Sequence, residues 1–152
     1  MRTVKVVLIR VCADIIITQL VFYKGKGDLK KARILSYGFN KMGDSNGLQP
    51  GIHAEYDAIR KLLPLKNNKK LKNINILVIR ISGKNKLQSS KPCANCIQSM
   101  KTLPVKLGYR IQHVYYSNDD GSITKTNLHN LDNEEKHFSR FYRHRKDKNE
   151  LT

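Results

Sequence analysis

Two short motifs, each at the start of a predicted helix, most constrain how this chain can fold. They are an H-A-E motif at residues 53–55 and a P-C-A-N-C motif at residues 92–96. Apolar residues recur at helical spacing after each motif, as far as Pro64 in the first case and Pro104 in the second. The nearly continuous apolar segment at residues 74–81 is typical of a central strand covered on both faces. Because a strand separates the two predicted helices, their first turns can meet.

Both motifs carry side chains that bind transition metals. Cys93 and Cys96 are three residues apart, so both sulfur atoms can lie on one side of a helical turn and face a single ion. A helix N-terminus favours the thiolate form that binds metal. With the His53 imidazole, the cysteines provide three N, S, S ligands, the arrangement of a catalytic zinc that keeps one position for water. Glu55, two residues beyond the histidine, can reach such a water and relay its protons.

Other interpretations of these residues stay open. A C-x-x-C pair can also be a redox pair, although the H-A-E motif argues against this. A structural zinc site would need a fourth protein ligand. Cys12 lies in an apolar segment and is interpreted as an inert buried thiol. The remaining histidines are interpreted as solvated or packed side chains; they are His113, His129, His137 and His144.

The rest of the pattern predicts strands alternating with helices. Two β-prone runs at residues 16–23 and 32–39, joined by a Gly-rich connection, predict an antiparallel hairpin. Residues 111–116 predict another strand, which ends at a strong turn signal. A basic amphipathic stretch at residues 134–146 predicts a last helix, whereas residues 4–11 fit a strand or a helix. This order favours an α/β fold with a mixed sheet.

The charge of the chain indicates a phosphorylated or polyanionic partner rather than a neutral one. The net charge is +17, and thirteen Lys or Arg residues but no Asp or Glu lie between Ala58 and Asn118. A compositional bias toward Lys and Asn is the other explanation. A C-x-x-C pair among only three cysteines predicts a reducing compartment, cytoplasmic or nuclear. Charged residues interrupt the apolar run at residues 4–22, so we expect no membrane association.

At its two motifs the chain resembles the cytidine and deoxycytidylate deaminase superfamily, whose signature is H-x-E followed by P-C-x-x-C. The resemblance covers roughly residues 16–121 and implies a three-layer α/β sandwich with a mixed sheet of about five strands. It implies that His53, Cys93 and Cys96 bind Zn²⁺ and that Glu55 is the general acid and base. The chain departs from the family in a longer interval between the motifs and a poorly marked first helix.

The resemblance also implies where a substrate would bind. Residues 34–40 resemble the family's second strand, which ends in an asparagine that contacts the substrate sugar. The backbone near Ala54 and at residues 90–93 would line the base pocket, and a tyrosine of the following strand would stack on base or sugar. The predicted substrate contacts are Asn40, Ala54, Ser90, Pro92, Tyr115 and Tyr116. The predicted phosphate or nucleic-acid contacts are Lys66, Lys69, Lys70, Lys84, Lys86, Lys91, Arg140, Arg143 and Arg145.

We therefore expect a deaminase-like domain at residues 1–128 and a basic C-terminal helix or tail at residues 129–152 that belongs to it or docks on it. The expected reaction is zinc-dependent hydrolytic deamination of cytosine to uracil on a phosphorylated substrate, either a deoxycytidylate-type nucleotide or single-stranded nucleic acid. The alternative is a deaminase-fold nucleic-acid-binding or assembly subunit with little or no turnover. Because the family commonly assembles, we also expect a homo-oligomer.

Overall fold

A computed structural model of the chain describes residues 16–23, 33–43, 51–65, 70–135 and 137–138. These residues form six strands and three helices. In chain order the elements are β1 (Ile16–Tyr23), β2 (Arg33–Phe39), α1 (Ala54–Arg60), β3 (Lys72–Ile81), β4 (Leu87–Gln88), α2 (Ala94–Lys106), β5 (Tyr109–Ser117), β6 (Ile123–Thr126) and α3 (Leu128–Asn133). The predictions for residues 4–11 and for Cys12 lie outside the described residues.

The strands form one mixed sheet in the order β2-β1-β3-β5-β6, and the two-residue β4 pairs with the end of β3. β1 is antiparallel to both β2 and β3, which confirms the predicted hairpin, whereas β3 and β5 are parallel and β6 returns antiparallel to β5. The predicted α/β arrangement with a mixed sheet is thus confirmed. Since β2, β3 and β5 run in the same direction, their carboxyl ends lie at the same edge of the sheet.

Strand β3 lies at the centre of the hydrophobic core. Ile74, Ile76 and Val78 alternate along one face and belong to a buried cluster with side chains of α1, α2 and β5. Leu77 and Ile79, on the opposite face, are also buried. The prediction that this strand is covered on both faces is confirmed.

The helices of the described part form one layer on the sheet. α1 packs against β2 and β1, α2 packs against α1 and β5, and α3 packs against α2 and β5. The three-layer sandwich that the resemblance implies would have helices on both faces of the sheet. Within the described ranges, helices cover one face and none covers the other. In that same part of the chain, no helix has the length and apolar character needed to cross a membrane.

Helix α2 continues past the residue at which the sequence predicted its end. The prediction of a stop at Pro104 is wrong, because α2 runs to Lys106 with Pro104 inside its last turn. A proline there removes its own N–H donor and crowds the carbonyl four residues earlier, but only two helical residues follow it. The helix ends at Lys106, two residues before Gly108, whose φ of 90° is typical of a C-terminal glycine and whose N–H donates to the Val105 carbonyl.

The C-terminal part of the described chain packs on the same core. Leu131 of α3 is 1% exposed and belongs to the buried cluster. Neither β6 nor α3 was predicted from the sequence. Of the helix predicted at residues 134–146, residues 134–135 and 137–138 are described and are not helical; the others lie outside the described residues.

Helix α1 approaches strand β2 unusually closely. The Ser36 hydroxyl donates a 2.6 Å hydrogen bond to the Ala58 carbonyl. Next to it, a Cβ added at Gly38 would collide with the Ala54 carbonyl oxygen and the Ala58 backbone nitrogen. The absence of a side chain at residue 38 therefore fixes where α1 begins relative to the sheet.

Candidate metal centre

The two motifs meet at the first turns of α1 and α2. His53 is the N-cap residue of α1 and Cys93 is the N-cap residue of α2, and both have extended backbone conformations. The two helices pack against each other, and each follows a segment that leaves the sheet at the edge where β2 and β3 end. The expectation that the two motifs come together is confirmed.

The three predicted metal ligands form a compact cluster. The ligand atoms of His53, Cys93 and Cys96 all lie within 4.8 Å of one another. His53 Nδ1 is 3.2 Å from Cys96 Sγ and 3.5 Å from Cys93 Sγ. Usual Zn–N and Zn–S bond lengths in a tetrahedron give N···S separations of roughly 3.5 Å. The donor set and its spacing therefore fit a zinc ion of H-x-E and P-C-x-x-C type.

The contacts within the cluster favour the metal-binding form of one of its three ligands, Cys93. A hydrogen bond with Cys96 lowers the pKa of Cys93, and His53 lowers it further. The hydrogen bond with Cys93 and burial both raise the pKa of Cys96. The hydrogen bond with Cys93 raises the pKa of His53 against the opposing effect of burial. The cluster thus already stabilises one thiolate, the form that coordinates metal.

Glu55 lies buried beside the cluster. Its side chain is 5% exposed, and its carboxyl group interacts with the Cys96 thiol. Burial raises the pKa of Glu55, and this effect exceeds the opposing influence of the nearby histidine. A carboxyl group with a raised pKa next to a metal site is suited to accept a proton and donate it again.

Asn40 is held against the start of α1. Its side-chain oxygen accepts a 2.8 Å hydrogen bond from the Ala54 N–H. Because Ala54 is the first residue of α1, this N–H has no carbonyl partner within the helix. Asn40 is exposed, whereas Ala54 is completely buried. Because Oδ1 accepts from the Ala54 N–H, one position after His53, the Nδ2 group of Asn40 is left as a donor.

Sequence reasoning missed a buried ion-pair cluster around Asp57. Its carboxylate is fully buried and lies 3.1 Å from Lys41 Nζ, 2.6 Å from Lys61 Nζ and 3.8 Å from Arg60. It also accepts a 3.3 Å hydrogen bond from the Phe39 N–H. Burial alone would raise the pKa of Asp57, but these donors lower it to about 2. An acidic residue four positions after a histidine ligand was the only signal available in the sequence.

The loop before α2 is fixed to the sheet through two buried serines. The Ser90 hydroxyl lies 2.9 Å from both the Val78 carbonyl and Ser117 Oγ, and it accepts from the Ser117 N–H at 2.9 Å. Ser117 in turn donates to the Gln88 carbonyl at 2.6 Å. The Ser90 hydroxyl thus holds the loop, and the Pro92 side chain is fully buried beside the cysteine ligands.

The two predicted stacking tyrosines lie on opposite faces of β5. Tyr116 is 9% exposed and belongs to the core cluster beneath the helices. Tyr115 is half-buried on the other face, with Lys125 Nζ 5.9 Å from its ring centre. The structure therefore does not bring Tyr115 together with the metal ligands.

The described basic residues differ in their availability for phosphate. Lys70, Lys84 and Lys86 are exposed. Lys91 is engaged in a 2.6 Å ion pair with Glu134. The other predicted phosphate contacts lie outside the described residues; they are Lys66, Lys69, Arg140, Arg143 and Arg145.

The C-terminal segment reaches the start of α2. The Ala94 N–H donates a 3.0 Å hydrogen bond to the His137 carbonyl. With the Lys91–Glu134 ion pair, this contact places Glu134 and His137 close to the start of α2 and Cys93. No pattern in the sequence indicated that this segment borders the metal ligands.

A scan against known protein families and a search of curated proteins found no match to this sequence. The assignment of a potential metal site therefore rests on the positions of His53, Cys93 and Cys96 alone.

Proposed function

We propose that this chain is a zinc-dependent deaminase that hydrolyses cytosine to uracil on a phosphorylated substrate. One observation carries the proposal: a single imidazole and two sulfurs converge within 4.8 Å, and a buried carboxyl group, Glu55, interacts with one of those sulfurs. Three N, S, S ligands are typical of catalytic rather than structural zinc. The site resembles that of the cytidine and deoxycytidylate deaminase superfamily.

His53, Cys93 and Cys96 would hold the zinc ion. When bound, Zn²⁺ acidifies water and so supplies the nucleophile for hydrolysis near neutral pH. Two thiolates donate much electron density to the ion and weaken this effect, which makes a neighbouring proton acceptor necessary. The burial of Glu55 meets this need, because its raised pKa lets the carboxylate take up a proton and release it again.

Glu55 would move both protons of the attacking water. The water oxygen forms a bond to C4 of cytosine, and Glu55 delivers the first proton to ring nitrogen N3. It then passes the second proton to the amino group on C4, whose carbon–nitrogen bond breaks. Uracil and ammonia are the products, with no other reactant needed.

Substrate recognition is assigned to Asn40 and to the basic surface. Asn40 Oδ1 is fixed by the Ala54 N–H, so its Nδ2 group can donate to a sugar hydroxyl of the substrate. Exposed Lys84 and Lys86 lie in the loop that connects β3 to α2, at the same edge of the sheet as the metal ligands. Their charge favours a phosphorylated substrate over a free nucleoside.

The proposal is tested by measuring ammonia release and C-to-U conversion with a zinc-replete protein. The substrates are dCMP, CMP, cytidine, single-stranded DNA and single-stranded RNA. We expect turnover of a phosphorylated substrate and a loss of at least a hundredfold in Glu55→Gln. Asp120→Asn changes an exposed carboxylate in the turn between β5 and β6, outside the metal cluster, and should keep full activity. If no substrate reacts, the deaminase proposal is wrong.

The strongly basic composition supports a second hypothesis, a deaminase-fold subunit that binds nucleic acid with little or no turnover. The two hypotheses differ at Glu55, since a binding subunit has no use for a buried carboxyl group beside the metal ligands. Binding of a labelled single strand that is equally tight in the native chain and in Glu55→Gln, without deamination by either, would favour the binding subunit.

A further inference from the structure

We propose that Asp57 is a positioning residue that sets Asn40 for contact with the substrate sugar. The inference rests on the proposed function, because it assigns Asn40 to a substrate contact. It extends that function by identifying a buried carboxylate that touches neither the metal ligands' side chains nor the substrate.

The Asp57 carboxylate binds the residue on each side of Asn40. It accepts a hydrogen bond from the Phe39 N–H at 3.3 Å and pairs with Lys41 Nζ at 3.1 Å. One buried carboxylate thus contacts the chain immediately before and after Asn40, and a backbone bridge between Lys41 and Ile52 holds the far side of the same segment.

The surroundings of Asp57 keep its carboxylate in one position. Its side chain is completely buried, and Lys61 Nζ, 2.6 Å from its second oxygen, also donates to the Tyr37 carbonyl of β2. Asp57 itself lies in α1, where its N–H donates to the His53 carbonyl. The carboxylate therefore connects the end of β2 to the helix whose N-cap is a metal ligand.

Asn40 completes this connection from the other side. Its Oδ1 accepts from the Ala54 N–H at 2.8 Å, so the segment at residues 39–41 is joined to α1 at two points, Ala54 and Asp57. With Oδ1 held, the direction of the Nδ2 donor is fixed. Loss of the Asp57 contacts should free the segment, and the Asn40 donor would then be disordered when a substrate binds.

The first test is a double-mutant cycle on nucleotide turnover with Asp57→Asn and Asn40→Ala. Asn40→Ala should lower kcat/KM about tenfold, mainly through KM, and Asp57→Asn should give a similar change. If Asp57 acts through Asn40, the double variant will be no worse than Asn40→Ala. Arg60→Gln, which removes a charge and only the 3.8 Å contact with Asp57, is the matched control and should leave KM unchanged.

A second measurement does not depend on turnover. Hydrogen exchange of the Ala54 amide reports directly on its bond to Asn40 Oδ1. Asp57→Asn should accelerate this exchange at least tenfold, as should Asn40→Ala, with no further increase in the double variant. The Ile97 amide in α2, bonded to the Cys93 carbonyl, should exchange as in the native chain.

The outcomes separate the inference from the proposed function. If Asp57→Asn does not fold, Lys41→Gln replaces it, because Lys41 makes one of the same contacts and its side chain is 50% exposed. Lys41→Gln should also raise KM and accelerate exchange of the Ala54 amide. Additive effects in the cycle, or unchanged Ala54 exchange, would overturn the positioning role. Absence of turnover in the native chain would refute the deaminase, and Ala54 exchange would then decide the role of Asp57.

Discussion

Gly38 lies directly against the carbonyl oxygen of Ala54, and no side chain fits between them. The contact joins strand β2 to the first residue of α1, one position after the histidine ligand. The distance between the sheet and the metal centre therefore depends on a residue that itself has no functional group.

Substitution of this glycine should disturb both stability and metal binding. In Gly38→Ala the new methyl group meets helix backbone rather than a flexible side chain, so α1 must shift. We expect a loss of about 1–3 kcal/mol of unfolding free energy, typical of an overpacked site, and weaker zinc binding. Gly121→Ala is the control, because open space surrounds its Cβ; it should lose only about 1–2 kcal/mol through its left-handed conformation and bind zinc normally. An unaltered melting temperature in Gly38→Ala would contradict the close approach of the helix.

Removal of one sulfur ligand should release the metal. Because metal binding energy contributes to folding, Cys93→Ser should lose most of its zinc and melt several degrees below the native chain. Asn95→Ser changes an exposed residue between the two cysteines and should retain zinc. Metal analysis and thermal melting with and without a chelator test this, since a chelator should lower the melting temperature of the native chain but not of Cys93→Ser. Equal zinc content in both variants would refute the assigned ligands.

The buried carboxylate of Asp57 should make stability depend on acid pH. Its pKa is lowered to about 2 in the folded chain, below the value of about 3.9 in an unfolded chain. Folded Asp57 therefore holds its proton less tightly, and its stabilising contribution is present above about pH 4 and is lost as pH falls toward 2. The shift corresponds to about 2–3 kcal/mol.

The check on this prediction is urea unfolding of the native chain and Asp57→Asn between pH 2 and pH 7. Both proteins are stripped of metal, so that release of zinc by acid does not contribute. The difference in unfolding free energy should be largest near neutrality and should shrink below pH 4. A difference that stays constant over the whole range would show that the carboxylate is not paired as described.

The basic loop between β3 and β4 should contribute more to binding of a polyanion than to binding of a mononucleotide, because a single strand offers it several phosphates. Lys84→Gln combined with Lys86→Gln should weaken binding of a labelled single strand. It should also reduce the slope of log affinity against log salt by about 1.4, which is 0.7 for each lost phosphate contact. Lys70→Gln with Lys106→Gln makes the same charge change at the opposite end of β3 and α2 and should have a smaller effect. Equal losses in the two double variants would indicate attraction by net charge alone.

Local patterns were sufficient to predict most of the regular elements. The apolar segment at residues 74–81 predicted the central strand, and helical spacing after each motif predicted α1 and α2. The metal ligands were also predictable, because their chemistry and their positions at helix starts are local properties. Strand β6 and helix α3 were missed because both are short and largely polar, and only their packing against β5 and α2 selects their conformation.

Relationships between distant residues could not be predicted. Asp57 has a defined role only because the chain folds Lys41 and Phe39 onto it, and no spacing rule indicates that pairing. Whether Tyr115 or Tyr116 faces the helices depends on the register of β5, which shifts between its pairs with Ile74 and Asn75. A one-residue irregularity of this kind reverses which side chains of the strand face the helices, and no residue pattern in the sequence indicates it.

The histidine and the first sulfur ligand are separated by 40 residues, and strand β3 lies within that interval. An ion bound at this centre would act as a cross-link that closes a large loop around the middle of the sheet. In the folded chain, the pairing of β3 with β1 and β5 brings the two helix starts together. Metal uptake would therefore be a late event, and the appearance of bound zinc in a refolding experiment would report that the centre of the sheet is complete.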